Sequence, residues 1–383
     1  MAPIIAVAML GFVGFSLVVQ FAGIALGLDA MRRKKPVPNG LGQPGVTVLR
    51  PVCGLENNLA ETLATTFSAD YPEYEILFCV AADSDPAIPL VRELIAQHPK
   101  ANARLLIGDD RISGNPKLNN LVKGWAAARY GWVLMADSNV LLPSDYLQRL
   151  LARWVPGTGL VSSPPVGVRP GGFWARLECA FLNSYQARWQ LAADRIGNGF
   201  AQGKILFWKK AFLDNAGSIV ILGREMAEDV ASTKVVRAAG LKVRLPGQLF
   251  LQPVGRRSFA EVWRRQLRWA RVRRLGFVTY FLPEVLAGAF WPLLAALLLV
   301  ATGVVPAIFV AALALIWYGA EYVLARRAGW PCGVGDILAW LLRDALLPLL
   351  WVGAWLGSGF EWRGNMMTTE DIAEVPGTAA KGS

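Results

Sequence analysis

The sequence predicts an α/β domain with a mostly parallel sheet, carried between apolar segments long enough to enter a membrane. Three observations predict it. Strand-like and helix-like stretches alternate between residues 46 and 139, the pattern of a parallel sheet with helices on both faces. Two of the strands run into acids, Asp83-Ser84-Asp85 and Asp137-Ser138-Asn139, so both acidic ends fall on the rim where open α/β sheets bind ligands. The 54% hydrophobic content is concentrated at the two ends of the chain. Residues 44–255 remain as a mixed polar and apolar stretch, long enough to bury its own core.

Residues 3–28 carry no charge and are followed by Arg32-Arg33-Lys34-Lys35. This is the pattern of a retained transmembrane anchor (1–31) with its basic flank inside, which places the following domain in the cytoplasm. A Pro- and Gly-rich linker, residues 36–45, leads into it. Strands are expected at 46–52, 75–81 and 103–107, and helices at 57–69, 88–97 and 117–129. The run Trp132-Val133-Leu134-Met135-Ala136 then reads as a buried strand delivering Asp137 to the rim. Further on, residues 171–193 form a long helix candidate whose stripe of Phe173, Leu177, Phe181 and Tyr185 faces core or lipid, with core as the default. Residues 200–208 read as a strand, and Ala227-Glu228-Asp229 opens a helix reaching Ala239.

The composition narrows the chemistry. A net charge of +11 raises the question of nucleic acid, but an Arg-rich stretch beside apolar spans points instead to an anionic bilayer face. Cys53, Cys79, Cys179 and Cys332 are too scattered for a zinc site and read as buried, reduced and structural. His98 is the single histidine and falls at a surface-like helix end, so proton transfer falls to carboxylates. Neither a Gly-rich phosphate loop with its lysine nor a dinucleotide fingerprint is present. The nearest phosphate-binding feature is Ser113-Gly114-Asn115-Pro116-Lys117-Leu118-Asn119-Asn120, where a loop feeds a helix carrying Lys117 in its first turn. Its amides and lysine suit a phosphate or sugar hydroxyl, and a plain capping turn accounts for the same residues. Asp137, with Ser138 and Asn139, suits a divalent cation that takes oxygen ligands and bridges a diphosphate; capping of the next turn is the alternative. Glu228 and Asp229 either favour a helix dipole or include a general base.

Between residues 256 and 280 eight arginines alternate with Phe259, Val262, Trp263, Leu267, Trp269 and Val272, the composition of an amphipathic helix lying in the headgroup plane. Residues 281–327 read as a transmembrane hairpin closed by Arg326-Arg327. The block 333–365 holds Arg343, Asp344 and Pro348 and is expected to be interfacial or re-entrant, leaving Glu361-Trp362-Arg363-Gly364 in the cytoplasm; a true span would put that tail outside. Residues 366–383 are expected to be a flexible tail.

Taken together, Leu49-Arg50-Pro51 with Gly54, Asp83, Asn115-Pro116-Lys117-Leu118-Asn119-Asn120, Asp137-Ser138-Asn139, Ala227-Glu228-Asp229 and Arg265-Gln266-Leu267-Arg268-Trp269 resemble the ceramide glucosyltransferase family and its bacterial relatives, membrane-bound GT-A glycosyltransferases. The resemblance runs from Val46 to about Leu275. It implies a GT-A (nucleotide-diphospho-sugar transferase) fold at the cytoplasmic side of the inner membrane. It implies that Asp83 receives the uracil of a UDP-sugar and that Asp137 holds the diphosphate through Mg²⁺ or Mn²⁺. Lys117 and Asn119 fall among the substrate-binding residues, Asp229 becomes the base that deprotonates the acceptor hydroxyl, and Arg265, Arg268 and Trp269 close over the diphosphate and sugar. A base on the opposite face of the sugar implies inversion, hence a β-linked product from an α-linked donor. The acceptor implied is the primary hydroxyl of ceramide.

The chain departs from the family pattern at Asn139, which leaves Asp137 the only charged ligand of its motif, so metal binding without nucleotide is expected to be weak. Arg265, where many polysaccharide synthases carry glutamine, favours single glycosylation by analogy. Three rivals stand beside this reading: transfer to a hopanoid or polyisoprenoid lipid, a processive polysaccharide synthase, and a silent membrane-anchored module that binds nucleotide or lipid. The identity of the sugar is not legible, since one or two pocket side chains decide it.

Overall fold

Short apolar runs bounded by turn residues become the strands of one seven-stranded sheet, in the order β3-β2-β1-β4-β7-β5-β8. In chain order the strands are β1 (Val46–Val52), β2 (Tyr74–Val80), β3 (Ala103–Ile107), β4 (Trp132–Ala136), β5 (Thr158–Ser162), β6 (Pro165–Pro170), β7 (Ile205–Lys209), β8 (Lys242–Arg244), β9 (Phe250–Gly255), β10 (Phe360–Trp362) and β11 (Asn365–Met367), the last two paired with each other. β6 and β9 pair separately as a two-stranded ribbon. The computed structural model describes residues 3–32, 40–357, 359–362 and 365–367. The basic flank beyond Arg32, the linker before Gly40, Arg363-Gly364 and residues 368–383 lie outside the described residues; of the tail expected over 366–383, Met366 and Met367 are instead paired in a strand with Glu361 and Phe360.

Two compact units form, one from residues 40–165 and 197–253, the other from the N-terminal helix with residues 166–196 and 254–357. In the first, β1 runs parallel to β2 and β4, with Leu49 opposite both Leu77 and Met135. Parallel strands in register leave the sheet at the same edge, so the chain after Val80 and after Ala136 emerges on one rim. β7 enters antiparallel to β4, with Ile205 opposite Ala136, and this brings Lys204 to that rim as well. The sheet is therefore mixed, with its parallel half holding the two acidic ends.

Period-two alternation sorts the strand side chains into two layers. Leu49, Met135, Leu206 and Trp208 pack under the Pro116–Ala127 helix through Leu118, Leu121 and Trp125. Val48, Leu134, Ile205 and Phe207 pack on the other face with Tyr146 and Leu147. A guanidinium is buried in this core. Arg50 is fully buried, and its guanidinium donates to the carbonyls of Thr62 (3.0 Å), Ser138 (3.3 Å) and Val140 (3.3 Å). It thereby pins the turn that follows Asp137. Arg50→Leu removes these bonds; the Ser138 and Thr62 carbonyls keep the hydroxyls of Thr62 and Thr65, while the Val140 carbonyl loses its guanidinium partner, at about 1–3 kcal/mol if it stays buried and unsatisfied. The expected result is a lowered unfolding midpoint in detergent; an unchanged midpoint would remove Arg50 from this role.

In the second unit four helices are long and apolar enough to cross a membrane: Pro3–Arg32, Val278–Ala301, Ile308–Ala328 and Val334–Trp355. Val13, Ala295, Ala296 and Leu313 form a shared apolar seam, while Ile4, Leu315, Leu298 and Leu349 point outward. The block expected to be interfacial or re-entrant holds one continuous 22-residue helix, Val334–Trp355, with Pro348 within it. Arg343 and Asp344 are buried against protein: Arg343 Nη1 lies 2.7 Å from Glu321 Oε1 and 2.7 Å from Ser184 Oγ, and Asp344 Oδ2 accepts from Tyr318 Oη at 3.0 Å. Ionisable groups paired in this way need not face lipid.

Residues 166–196, expected inside the 44–255 domain, pack instead with these apolar helices. The helix Phe173–Ala180 continues through a wider π-helical turn, Phe181–Ala187, into Arg188–Arg195. The Arg188 guanidinium donates to Gln20 on the N-terminal helix, and Trp189 lies so near Gly23 that a Cβ there would sit 2.9 Å from its ring. The Arg-rich helix, Phe259–Gly276, opens on a Ser258/Glu261 capping box. It turns Val262, Gln266 and Ala270 inward, and Arg273 pairs with Glu284 at 2.8 Å. Part of the arginine content therefore neutralises protein acids, a use that composition alone did not distinguish from headgroup contact. Cys79 and Cys179 are buried, but Cys53 is exposed in the loop after β1 and Cys332 is partly exposed.

Candidate functional site

Four chain segments meet at the rim of the sheet. The first is Asp137, one residue past β4, whose backbone N–H donates to the Lys204 carbonyl at 3.0 Å. The second is Gly203-Lys204, entering β7. The third is the start of the Pro116–Ala127 helix. There Asn115 is the N-cap, its side chain accepting from the amides of Lys117 (3.0 Å) and Leu118 (3.2 Å). The capping account of this loop holds, and it fixes where Lys117 begins. The fourth is the start of the helix Glu228–Ala238.

Lys117 ties them together. Its side chain is 8% exposed, and its ammonium lies 2.6 Å from Asp137 Oδ1 and 2.6 Å from Glu228 Oε1. The same ammonium donates to the Gly203 carbonyl. Asn115 Nδ2 donates to the other Glu228 oxygen at 2.7 Å. The Gly203 amide donates to Asp229 Oδ2 at 3.0 Å, and the Val230 amide to Oδ1 at 2.8 Å. A Cβ at position 203 would lie 2.5 Å from Glu228 Oε1, so any other residue there displaces that carboxylate. Lys204 reaches back along the rim to donate to Asp137 Oδ2 at 2.8 Å and Asn139 Oδ1 at 3.0 Å.

These contacts split the two principal acids in proton affinity. For Asp137, burial would raise the pKa, but the adjoining Lys117 and Lys204 ammoniums outweigh it and hold the carboxyl well below the usual range. For Asp229, burial and then the neighbouring Glu228 charge push the pKa up to about 7, against the Gly203 amide and Lys117. Lys117 itself is raised: burial disfavours its charge, yet Asp137 and Glu228 more than restore it. One carboxylate thus stays ionised beside positive charge, while the other is poised to take or release a proton near neutrality. Environments that push two acids apart in this way mark acid/base assignments.

Asp83 lies exposed beyond β2 on the same rim as Asp137. Its loop is shaped by Asp85, whose carboxylate accepts from the Gly54 amide at 3.0 and 2.9 Å and from the Ala87 amide at 2.8 Å. Asn119 is buried, with Oδ1 accepting from the amides of Ile112 and Ser113, both at 3.1 Å, and Nδ2 donating to the Ser113 carbonyl at 2.8 Å. It braces the 112–115 loop. Arg265, Arg268 and Trp269 belong to the other unit. There Arg265 pairs with the fully buried Glu178 at 2.9 Å, and Trp269 packs on Ala175, Cys179, Leu182 and Val254.

Sequence reasoning offered Glu228 as a dipole acid or, with Asp229, a general base, Lys204 as one of three basic residues (with Arg169 and Arg188) within reach of a donor carboxylate, and Asn115 as part of the capping or phosphate loop; it assigned no role to Gly203. Glu228 reads as a dipole acid until Lys117 is found beside it. Asn115-Pro116 is a legible N-cap signal, but nothing local says that its Nδ2 reaches a residue more than a hundred positions away.

The sheet order, the acidic strand end and the carboxylate at a helix start define a glycosyltransferase of the GT-A type. A mannosyltransferase from Pyrobaculum calidifontis, solved in complex with GDP-Man and Mn²⁺, shares the fold at a TM-score of 0.55 and 20% identity, over 90% of this chain and 98% of that one. The sequence pattern of glycosyl transferase family 21 matches residues 13–373, and the chain belongs to that family. Among curated relatives, ceramide glucosyltransferase 3 of Caenorhabditis elegans is 27% identical over 94% of this chain and 80% of its own length. Ceramide glucosyltransferase 1 of the same organism is 30% identical over 60% of this chain and 50% of its own.

Proposed function

We propose that this glycosyltransferase moves a single hexose-type sugar from a UDP-sugar to the primary hydroxyl of ceramide, with inversion, giving a β-glycosylceramide. The observation that carries this reading is the pairing at one rim of an ionised Asp137 with a proton-accepting Asp229. The ceramide glucosyltransferase names of the curated relatives support the acceptor. The four long apolar helices support a multi-pass enzyme of the inner membrane, and its catalytic domain faces the cytoplasm in this reading.

In the proposed reaction Asp229 takes the proton of the acceptor hydroxyl as its oxygen attacks the anomeric carbon. The bond from that carbon to the β-phosphate oxygen breaks, and UDP leaves with the electron pair. Negative charge grows on the diphosphate, and positive groups fixed beforehand stabilise it more as the bond lengthens. Lys117 and Lys204 supply such charge at the rim, and Asp83 receives the uracil.

Asp137 and Asn139 would hold Mg²⁺ or Mn²⁺. Among the described residues no group of three or more His, Cys, Asp or Glu side chains could hold a metal alone. The oxygens present fit an ion that completes its shell with water and phosphate, and the Lys204 ammonium between Asp137 and Asn139 marks their pocket as one for a cation. When bound, the ion would neutralise the departing diphosphate.

UDP release by detergent-purified protein, assayed with ceramide, a UDP-sugar panel and either Mn²⁺ or chelator, tests the assignment. Transfer that requires ceramide and a divalent ion supports it; transfer to a hopanoid or polyisoprenol in preference to ceramide replaces the acceptor. The pH profile gives a second test. Because Asp229 must be deprotonated to act, kcat/KM rises with pH through a limb near the raised pKa of about 7. Glu228→Gln removes the neighbouring negative charge and moves that limb to lower pH; an unmoved limb would assign it to another group. The same shift costs folding stability as pH rises from the usual carboxylate range towards about 7, because the folded chain holds a proton there that the unfolded chain has released.

A further inference from the structure

We propose that the Lys204 ammonium is the resident cation of the Asp137–Asn139 pocket in the donor-free enzyme, yielding its place to a divalent ion only when that ion arrives with a nucleotide diphosphate. This deepens the metal assignment above and rests on it.

The geometry points there in three ways. First, Lys204 Nζ sits between Asp137 Oδ2 (2.8 Å) and Asn139 Oδ1 (3.0 Å), the two side-chain oxygens that a metal in this motif would take. An ammonium held by two oxygens at these distances occupies the volume of a coordinated ion. Second, the two lysines are held by different groups. Lys117 is locked by Asp137, Glu228 and the Gly203 carbonyl, which belong to three segments of chain. At Asp137 and Asn139, Lys204 contacts the would-be ligands themselves, so its withdrawal uncovers both oxygens without opening the Lys117 junction. Its backbone carbonyl stays paired to the Asp137 amide, so only the flexible four-carbon stem has to swing.

Third, the charges balance only in certain combinations. Lys117 and Lys204 face Asp137 and Glu228 at the cluster, with the Asp229 carboxyl beside Glu228, so the two ammoniums are already matched by acids. A divalent ion alone would add two positive charges beside two ammoniums. A diphosphate brings the compensating negative charge and offers Lys204 a new partner. Metal and nucleotide are therefore coupled through this side chain, and each raises the affinity of the other.

The test measures Mn²⁺ binding by the full-length protein in detergent, by titration calorimetry and by the electron paramagnetic resonance signal of free Mn²⁺, with and without UDP. Wild type is expected to bind Mn²⁺ at least tenfold more tightly with UDP than without. Lys204→Met keeps the stem and removes the charge, and is expected to raise the nucleotide-free Mn²⁺ affinity at least tenfold. Lys204→Arg retains the charge and should stay within a few-fold of wild type, which controls for disturbed folding. If Lys204→Met leaves nucleotide-free affinity unchanged while UDP-dependent Mn²⁺ binding persists, the inference fails and the metal assignment stands. If no variant binds Mn²⁺ even with UDP, both fail together.

Discussion

Asp229→Asn is expected to lower turnover by about 10²–10⁴-fold, the usual contribution of a positioned general base, while UDP affinity stays near that of the unaltered protein. The substitution changes little in volume, and it removes the group whose pKa the fold has raised to about 7. Both Asp229 oxygens accept backbone N–H groups, from Gly203 and Val230, so an amide must turn its NH₂ toward one of them. Some loss of stability follows, and UDP binding measured in parallel separates that loss from the chemical one. Asp229→Glu supplies a second variant that keeps the carboxylate but misplaces it. Turnover within tenfold of wild type in Asp229→Asn would take the base role away from this residue.

Arg343→Met is expected to be the most damaging single change to stability, at about 3–5 kcal/mol, because removing one partner of a buried ion pair leaves an uncompensated charge. Here two acids would be stranded: Arg343 lies 2.7 Å from Glu321 and 2.8 Å from Asp344, with all three side chains buried. Adding Glu321→Leu should recover part of the loss, since the second stranded charge is then gone. The unfolding midpoint in detergent reads both. A double variant as unstable as the sum of its parts would mean that Glu321 and Arg343 act independently, contrary to their geometry.

Lys117 illustrates why only part of the site was legible in the sequence. Its place in the first turn of a helix follows from Asn115-Pro116, a local signal. Its function as the junction of Asp137, Glu228 and Gly203 depends on residues from 20 to 111 positions away, which no local pattern brings together. Asp137 is similar: its emergence at a strand end is a period and length argument, whereas its low proton affinity depends on Lys204 arriving on an antiparallel strand. β5 escaped notice because Gly159 and its polar ends break the apolar run, and β8 because three residues carry too little periodicity to stand out. Residues 173–195 misled in another way, since helical spacing shows an apolar face without showing which helices will cover it.

What the sequence determined by itself was the alternation that builds the sheet, the two acids ending strands of that sheet, the apolar segments and the single histidine that leaves proton transfer to carboxylates. Each of these is local: hydrophobic period, turn chemistry and composition are written within a dozen residues. Tertiary structure decided the rest, namely that Glu228 and Lys204 join the site, that Asp229 rather than Asp137 holds its proton near neutrality, and that Arg343 and Asp344 lie inside a continuous helix instead of interrupting it. Those outcomes depend on which charges become neighbours after folding, and at separations under 3 Å in a desolvated setting such neighbours outweigh any propensity of the chain itself.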